Sequence, residues 1–501
     1  MFKVDFVDND SLINESVVIL LSNKLRLDNR AADLDRKYNG IIFKAIESSK
    51  FEAKFGDSKI VMYIDKEENL KYLIIVGIGD TKDLKKLCFE KLGGIIVSNM
   101  KSSKIEEANI ITHNIDSNID QDTIASLIGS GGLLAAFRFD KYFTNKKEEN
   151  EFEVQKLKIA CNDLNIAKKL FKEKEDIATG VFLARNCIAE PANILYPESY
   201  SQIIIDELEA CDVDVEVLGE REMRNLGMGA LLGVGQGSQN ESKLVIMKYM
   251  NNKDHPIVGL VGKGVTFDTG GISLKPSLGM ADMKYDMAGS AAVVGTMKAL
   301  AMRKAQVNVV GVVGLVENMP GSNAQRPGDV VKTMSGQTAE VLDTDAEGRL
   351  VLADAIWYAQ DKFDLSCVID LATLTGAIVV ALGQTYAGLF SNDDILAEKL
   401  IRAGENVDEK LWRMPLHKDY DAMIRSDIAD VANIGNARGA AGSATAAHFI
   451  GRFIKDGVKW AHLDIAGMAW EKKGAAICPK GAVGYGVRLL NQFIAENYEA
   501  K

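Results

Sequence analysis

Residues 307–316 read Val-Asn-Val-Val-Gly-Val-Val-Gly-Leu-Val. An apolar run of this kind, with no polar alternation, predicts a strand buried on both faces, the habit of inner strands in a parallel sheet. It is too short, and too interrupted by Asn and Gly, to span a bilayer. Such a strand needs helices above and below it, and its surroundings supply the alternation. Val213–Leu218, Leu244–Tyr249, Ile257–Val261, Val307–Leu315, Cys367–Leu371 and Trp460–Ile465 read as strands. Ile203–Cys211, Ala288–Arg303 and Leu350–Gln360 read as helices, and Gly233-Val-Gly-Gln-Gly as a glycine-rich loop. The expectation is an α/β domain with a largely parallel central sheet.

A chain of 501 residues exceeds one ordinary core. The first 160 residues also alternate strand and helix. Val17–Leu21, Lys59–Ile64 and Tyr72–Val76 are predicted strands, with helices over 81–101 and 119–137. Gly77-Ile-Gly79 lacks the third glycine of a dinucleotide fingerprint and reads as a tight turn. A charged stretch at 145–156 reads as a hinge or surface hairpin, and a long helix follows over 163–189, broken at Glu190-Pro191 and Pro197. The predicted organisation is a smaller N-terminal α/β domain (1–160) and a larger C-terminal α/β domain (161–501), with 161–195 as connecting helix.

A net charge of −11 argues against nucleic acid or an anionic membrane as main partner. The N-terminus carries acids where a secretory signal needs cationic and apolar runs, so a cytoplasmic location is expected. The six cysteines form no Cys-x-x-Cys pair and fit reduced thiols. The five histidines, His113, His255, His417, His448 and His462, show no metal-site spacing. His462 lies in an apolar strand and reads as a core residue.

The chemistry gathers in two glycine-rich stretches. Residues 259–289 supply Lys263, Asp268, Lys275 and Asp286; Asp343-Thr-Asp-Ala-Glu-Gly-Arg-Leu supplies Asp345, Glu347 and Arg349. Both fall at strand ends, where open α/β sheets place ligands. Clustered carboxylates repel and raise one another's pKa. Two divalent cations sharing bridging carboxylates remove that conflict, and oxygen donors plus one amine suit Mn²⁺, Mg²⁺ or Zn²⁺. The plainer alternative is helix capping, since Asp345 and Glu347 stand where a helix N-terminus favours anions.

These stretches, with Thr373-Leu-Thr-Gly-Ala and Trp460-Ala-His-Leu-Asp-Ile-Ala-Gly, resemble the leucine aminopeptidase (cytosol aminopeptidase, M17) family from about Arg185 to near 490. The resemblance implies hydrolysis of N-terminal residues from peptides, with two divalent metals per subunit, Mn²⁺ or Zn²⁺. It implies Lys263, Asp268, Asp286, Asp345 and Glu347 as metal ligands, and Lys275 as the residue that polarises the substrate. It also implies a bicarbonate, serving as general base, held by Arg349, and a homohexamer with the N-terminal domain outermost. Met283, Thr373, Leu374 and Gly376 are candidates for the first side-chain pocket, with strand-end packing the alternative. Two departures stand out: Asp343 replaces the family's Asn, close to the substrate, and Gly484-Tyr-Gly-Val stands where many members have Gly-Arg-Pro. Two other readings of the acidic set are a two-metal phosphatase, which usually brings histidines, and a non-catalytic binding protein on the same fold.

Overall fold

The structure is a computed structural model and describes residues 2–8, 16–65, 67–112, 115, 117–145, 153–252, 255–436 and 439–500. His113 and much of the charged stretch at 145–156 lie outside the described residues. The chain divides into two compact units, Met1–Ala178 with Glu471–Gly481, and Thr179–Trp470 with Ala482–Lys501. The division falls inside the helix Leu164–Ala189.

The N-terminal unit holds a six-stranded sheet. Its order is Lys3–Asp8, Lys156–Cys161, Glu107–Ile111, Ser16–Ser22, Leu70–Gly79 and Ser58–Ile64. All neighbours run parallel except the last pair, a hairpin. Successive side chains of a strand point to opposite faces, and both faces here are apolar. Val17, Ile19, Leu21, Leu73 and Ile75 pack with Ile42 and Ile46 of the helix Ile41–Ser49. Val18, Ile74 and Val76 pack with the helices Lys86–Ser102 and Gln121–Ala135. The helix expected over 81–101 is split: Thr81–Asp83 is a 3₁₀ turn, capped by the Asp80 carboxylate, before the α-helix begins at Lys86.

The second unit is built on an eight-stranded sheet. Its order is Leu411–Arg413, Ala387–Ser391, Trp460–Asp464, Leu365–Ala372, Ile257–Asp268, Asn308–Asn318, Lys243–Met250 and Asp214–Leu218. The four central strands, from Trp460 to Asn318, are mutually parallel. Antiparallel pairs flank them on either side. Val309, Val310, Val312 and Val313 are completely buried, as the unbroken apolar run requires.

Three expectations need correction. The strand begun at Ile257 runs on to Asp268, so one strand presents both Lys263 and Asp268. The helix expected from Ile203 begins at Pro197, because a proline fits the first helical position as well as it breaks an interior. The glycine-rich loop at 233 is largely a helix, Gly229–Gly235. Its glycines serve close packing: a Cβ on Gly233 would meet the Gln325 amide, and one on Gly235 the Ser242 hydroxyl.

Candidate active site

Lys263 lies in the middle of the central strand and is buried. Its Nζ donates to Asp286 Oδ1 (2.9 Å) and to the Thr373 carbonyl (2.8 Å). It also lies 2.8 Å from Asp286 Oδ2 and 2.8 Å from Glu347 Oε1. The amine reaches the Glu347 side because Gly348 opens the first turn of the helix Gly348–Lys362, where any Cβ would meet the lysine stem.

Asp268 ends the same strand. Its Oδ1 accepts from the Gly270 N–H (2.9 Å) and from Asn318 Nδ2 (2.8 Å); its Oδ2 faces Lys275 Nζ at 2.8 Å. Lys275 also pairs with Asp345 Oδ1. The chain turns between Asp268 and Lys275 through Gly270 and Gly271, at φ +87° and +65°, a backbone that glycine adopts without strain. The turn is tied to the second acidic stretch: Thr344 Oγ1 donates to the Gly270 carbonyl and accepts from Ser273 N–H (2.8 Å).

One oxygen from each of Asp268, Asp286 and Glu347 lies within 4.8 Å of the others, all three side chains buried. The electrostatics follow. Burial pushes the Asp286 carboxyl far above its ordinary value, and Asp268 and Glu347 push it further against the pull of Lys263. Burial, then Asp268, raises Glu347. Asp345 is pushed up to about 6, first by burial and then by Asp268. Burial works against the ammonium of both lysines, but facing carboxylates outweigh it and both pKa values are raised. Without metal the two ammonium groups are thus the resident countercharge. Asp286 Oδ2, Asp345 Oδ1 and Glu347 Oε1 are buried, and among the described residues their close partners are those ammonium groups. Such oxygens, in an all-carboxylate and amine set, fit hard or borderline divalent ions.

Arg349 is buried in the first turn of the helix, and burial lowers its pKa to about 10. Its Nη1 donates to the Asn433 carbonyl (2.6 Å), while its buried Nε has no hydrogen-bond partner among the described residues. Such an unmet donor favours an anion.

The pocket candidates separate. Thr373 Oγ1 donates to Asp286 Oδ1 (2.8 Å) and its carbonyl holds Lys263, so Thr373 stands behind the acids. Leu374 is half-buried, and Gly376, exposed, opens the helix Gly376–Leu382 onto free space. Met283 is half-buried on the 3₁₀ helix Met280–Tyr285, whose C-cap is Asp286. Asp343 Oδ1 accepts from the Asp345 N–H (2.9 Å), a turn bond that an asparagine oxygen would make equally. What the carboxylate adds is negative charge near Arg349. The tail departure has a packing role: Tyr485 Oη donates to the Lys410 carbonyl (3.0 Å), and Gly486, at φ +101°, caps the helix Val487–Asn497.

Sequence reasoning missed Asn318, Asn433 and Asp464. Asp464 is buried; its Oδ2 accepts from Thr375 Oγ1 (2.7 Å) and its Oδ1 from the Leu374 N–H (3.2 Å), fixing the 373–376 loop. The rule that selected Asp268, an acid at the end of an inner strand, would have found Asp464. The two asparagines carry no comparable signal. His462 is buried and paired with Asp370 at 2.6 Å. Among the cysteines, burial raises Cys161 to about 11 and Cys187 to about 12, and also raises Cys211 and Cys367, so none of these four is an activated thiol.

Comparison with known proteins agrees with this architecture. The model of the cytosol aminopeptidase family catalytic domain matches residues 182–491, and that of the family's N-terminal domain matches 17–146. A probable cytosol aminopeptidase of Rickettsia bellii (strain OSU 85-389) is 60% identical over 501 residues, all of both chains. One of Rickettsia felis is 59% identical over 498 residues, 99% of this chain and all of that one. The solved bottromycin maturation enzyme BotP, in complex with Mn, superposes with TM-score 0.84 at 30% identity, covering 96% of this chain and 99% of that one. Fold, site and relatives define a peptide hydrolase. The chain belongs to the cytosol aminopeptidase family. The phosphatase and non-catalytic readings of the acidic set are thereby set aside. Among the described residues no helix is long and apolar enough to cross a membrane.

Proposed function

We propose that the chain is a dinuclear, metal-dependent leucyl-type aminopeptidase acting in intracellular peptide turnover. The observation that carries this reading is the buried carboxylate set of Asp268, Asp286 and Glu347, interleaved with two lysines that stand as its countercharge. In this reading Lys263, Asp268, Asp286, Asp345 and Glu347 hold two ions, Mn²⁺ or Zn²⁺. Bound divalent ions supply Lewis acidity for the scissile carbonyl and lower the pKa of water.

The chain's own groups do the rest. Lys263 gives up its proton to serve as a ligand, since only the neutral amine has a lone pair to offer. Lys275 keeps its proton, held between Asp268 and Asp345, and meets negative charge developing on the carbonyl oxygen. Arg349 holds an anion, bicarbonate in this reading, with its Nε, which has no hydrogen-bond partner among the described residues. Met283, Leu374 and Gly376 border the first side-chain pocket, with Thr373 behind them and Asp343 close to the substrate. The work is divided between an N-terminal domain over 1–160 and a catalytic domain from 161, joined by the helical stretch 161–195. Assembly as a homohexamer in the cytoplasm accords with the family resemblance.

The test is exhaustive chelation followed by assay on leucyl, phenylalanyl and acidic aminoacyl anilides. Activity lost on chelation, restored by Mn²⁺ or Zn²⁺ and highest on leucyl anilide, supports the reading. Full activity in protein shown metal-free by elemental analysis overturns it.

A further inference from the structure

Asn433 belongs to neither acidic stretch, yet its side chain makes three hydrogen bonds to the second one. It is completely buried and directly follows the short strand Val431–Ala432. Its own N–H is anchored on the Glu340 carbonyl at 2.9 Å. Its Oδ1 accepts from the N–H groups of Leu342 (2.8 Å) and Asp343 (3.3 Å). Its Nδ2 donates to the carbonyls of Asp343 (2.6 Å) and Ala346 (3.2 Å). Two acceptor and two donor positions are all that a carboxamide has, and here all are used. One side chain therefore grips both ends of the turn 343–346, and the backbone carbonyl of the same residue receives Arg349.

We propose that Asn433 is a positioning residue for the reaction, setting where Asp345 and Glu347 stand and hence how tightly the site holds metal. This rests on reading those two acids as ligands. The turn has little restraint of its own, the bonds from the Asp345 and Ala346 N–H groups back to Asp343. Asp345 and Glu347 face Asp268 and each other as like charges, with Lys275 and Lys263 as countercharge. Thr344 ties the middle of the turn to Gly270, Ser273 and Asn318, and Asn433 ties its two ends. A carboxamide suits this task because it donates and accepts without adding charge. Aspartate keeps the acceptors but loses both donors, and serine is too short to reach both sides of the turn.

The experiment compares the full-length parent with Asn433→Ala and Asn433→Asp, all metal-stripped. Mn²⁺ binding is followed by calorimetry and elemental analysis, with kcat and KM at saturating Mn²⁺ and the melting temperature of the stripped protein. Removing an outer partner of metal ligands typically weakens metal binding about 10- to 100-fold. That loss is expected in both variants, with KM for the peptide little changed. Asn433→Asp preserves volume, so it separates lost donors from a void, and it carries the test if Asn433→Ala does not fold; Asn433→Ser stands in if neither does. A lower melting temperature with parent-like Mn²⁺ affinity would reduce Asn433 to a structural residue and overturn the proposal. Glu347→Ala run alongside separates the two failures. If it too keeps both metals, the ligand reading is wrong; if it alone loses metal, only the role of Asn433 is.

Discussion

The catalytic unit buries two kinds of carboxylate. Asp354 accepts from the Leu231 N–H (2.9 Å) and the Met334 N–H (2.8 Å); Glu409 accepts from those of Gly486 (3.0 Å) and Leu489 (2.8 Å). Both are met by backbone N–H groups, which fix a helix start and a loop, and Glu409 also feels the cation of Arg488. Asp286 and Glu347 are met chiefly by the Lys263 ammonium, 2.8 Å from an oxygen of each. Burial raises the pKa in both sets. A shifted pKa therefore does not distinguish a working acid from a structural one; the identity of the partner does. A backbone N–H cannot leave, whereas a lysine can give up its proton or turn away.

The comparison can be broken at several points. Glu347→Ala or Asp268→Ala should lower metal stoichiometry and abolish measurable peptidase activity while leaving the fold intact; a variant that kept two metals per chain would merge the two classes. Lys275→Ala should retain its metals and lose about 10²- to 10³-fold in kcat, the usual effect of removing one preorganised donor. Metal titration beside kcat at saturation checks this, and an unchanged kcat would move Lys275 out of the machinery.

Glu409→Ala belongs to the other class. It strands two buried N–H groups, each costing about 1–3 kcal/mol, so the melting temperature should fall by several degrees while kcat of the folded enzyme stays within about twofold. A kcat loss as large as that of Lys275→Ala would contradict the division. The smallest effect is expected from Glu409→Gln. Burial holds the folded Glu409 carboxyl at about 7, above its unfolded value. Its contribution to stability is full below about 4.5 and is lost as pH rises through about 7. The Gln variant should therefore show a flatter profile of melting temperature over that window, and equal slopes in variant and parent would discount Glu409 as the titrating group.

What could be read in advance follows the same physics. Val309–Val316 announces its burial on both faces because nothing else explains so unbroken a run. The lysines and acids at 263–286 and 345–347 stand out because charge among glycines is costly unless used. The helix Gly229–Gly235 reads as a loop because glycine signals loops locally, whereas here Gly233 answers to Gln325, far along the chain, and Gly235 to Ser242. Asn433 was invisible for a related reason. An asparagine after a valine-alanine pair reads as a turn, and its partners lie about 90 residues earlier. Residues that hold a site from another segment leave no local pattern, only a three-dimensional one.

The wide sequence separation of the site's parts also bears on when the enzyme switches on during its own synthesis. Lys263 and Asp286 meet the Thr373 loop, that loop hangs on Asp464, and the acidic turn waits for Asn433. A ribosome adding about 5–20 residues per second thus displays all four acids well before the segments that organise them emerge. A nascent chain halted near 430 would carry every candidate ligand and lack the frame, so the expected outcome is a peptidase that is inert while it is itself an unfinished peptide. Stalled chains of graded length, assayed on leucyl anilide with Mn²⁺, should show activity only once residues beyond 464 are free; activity in chains ending before 430 would rule this timing out.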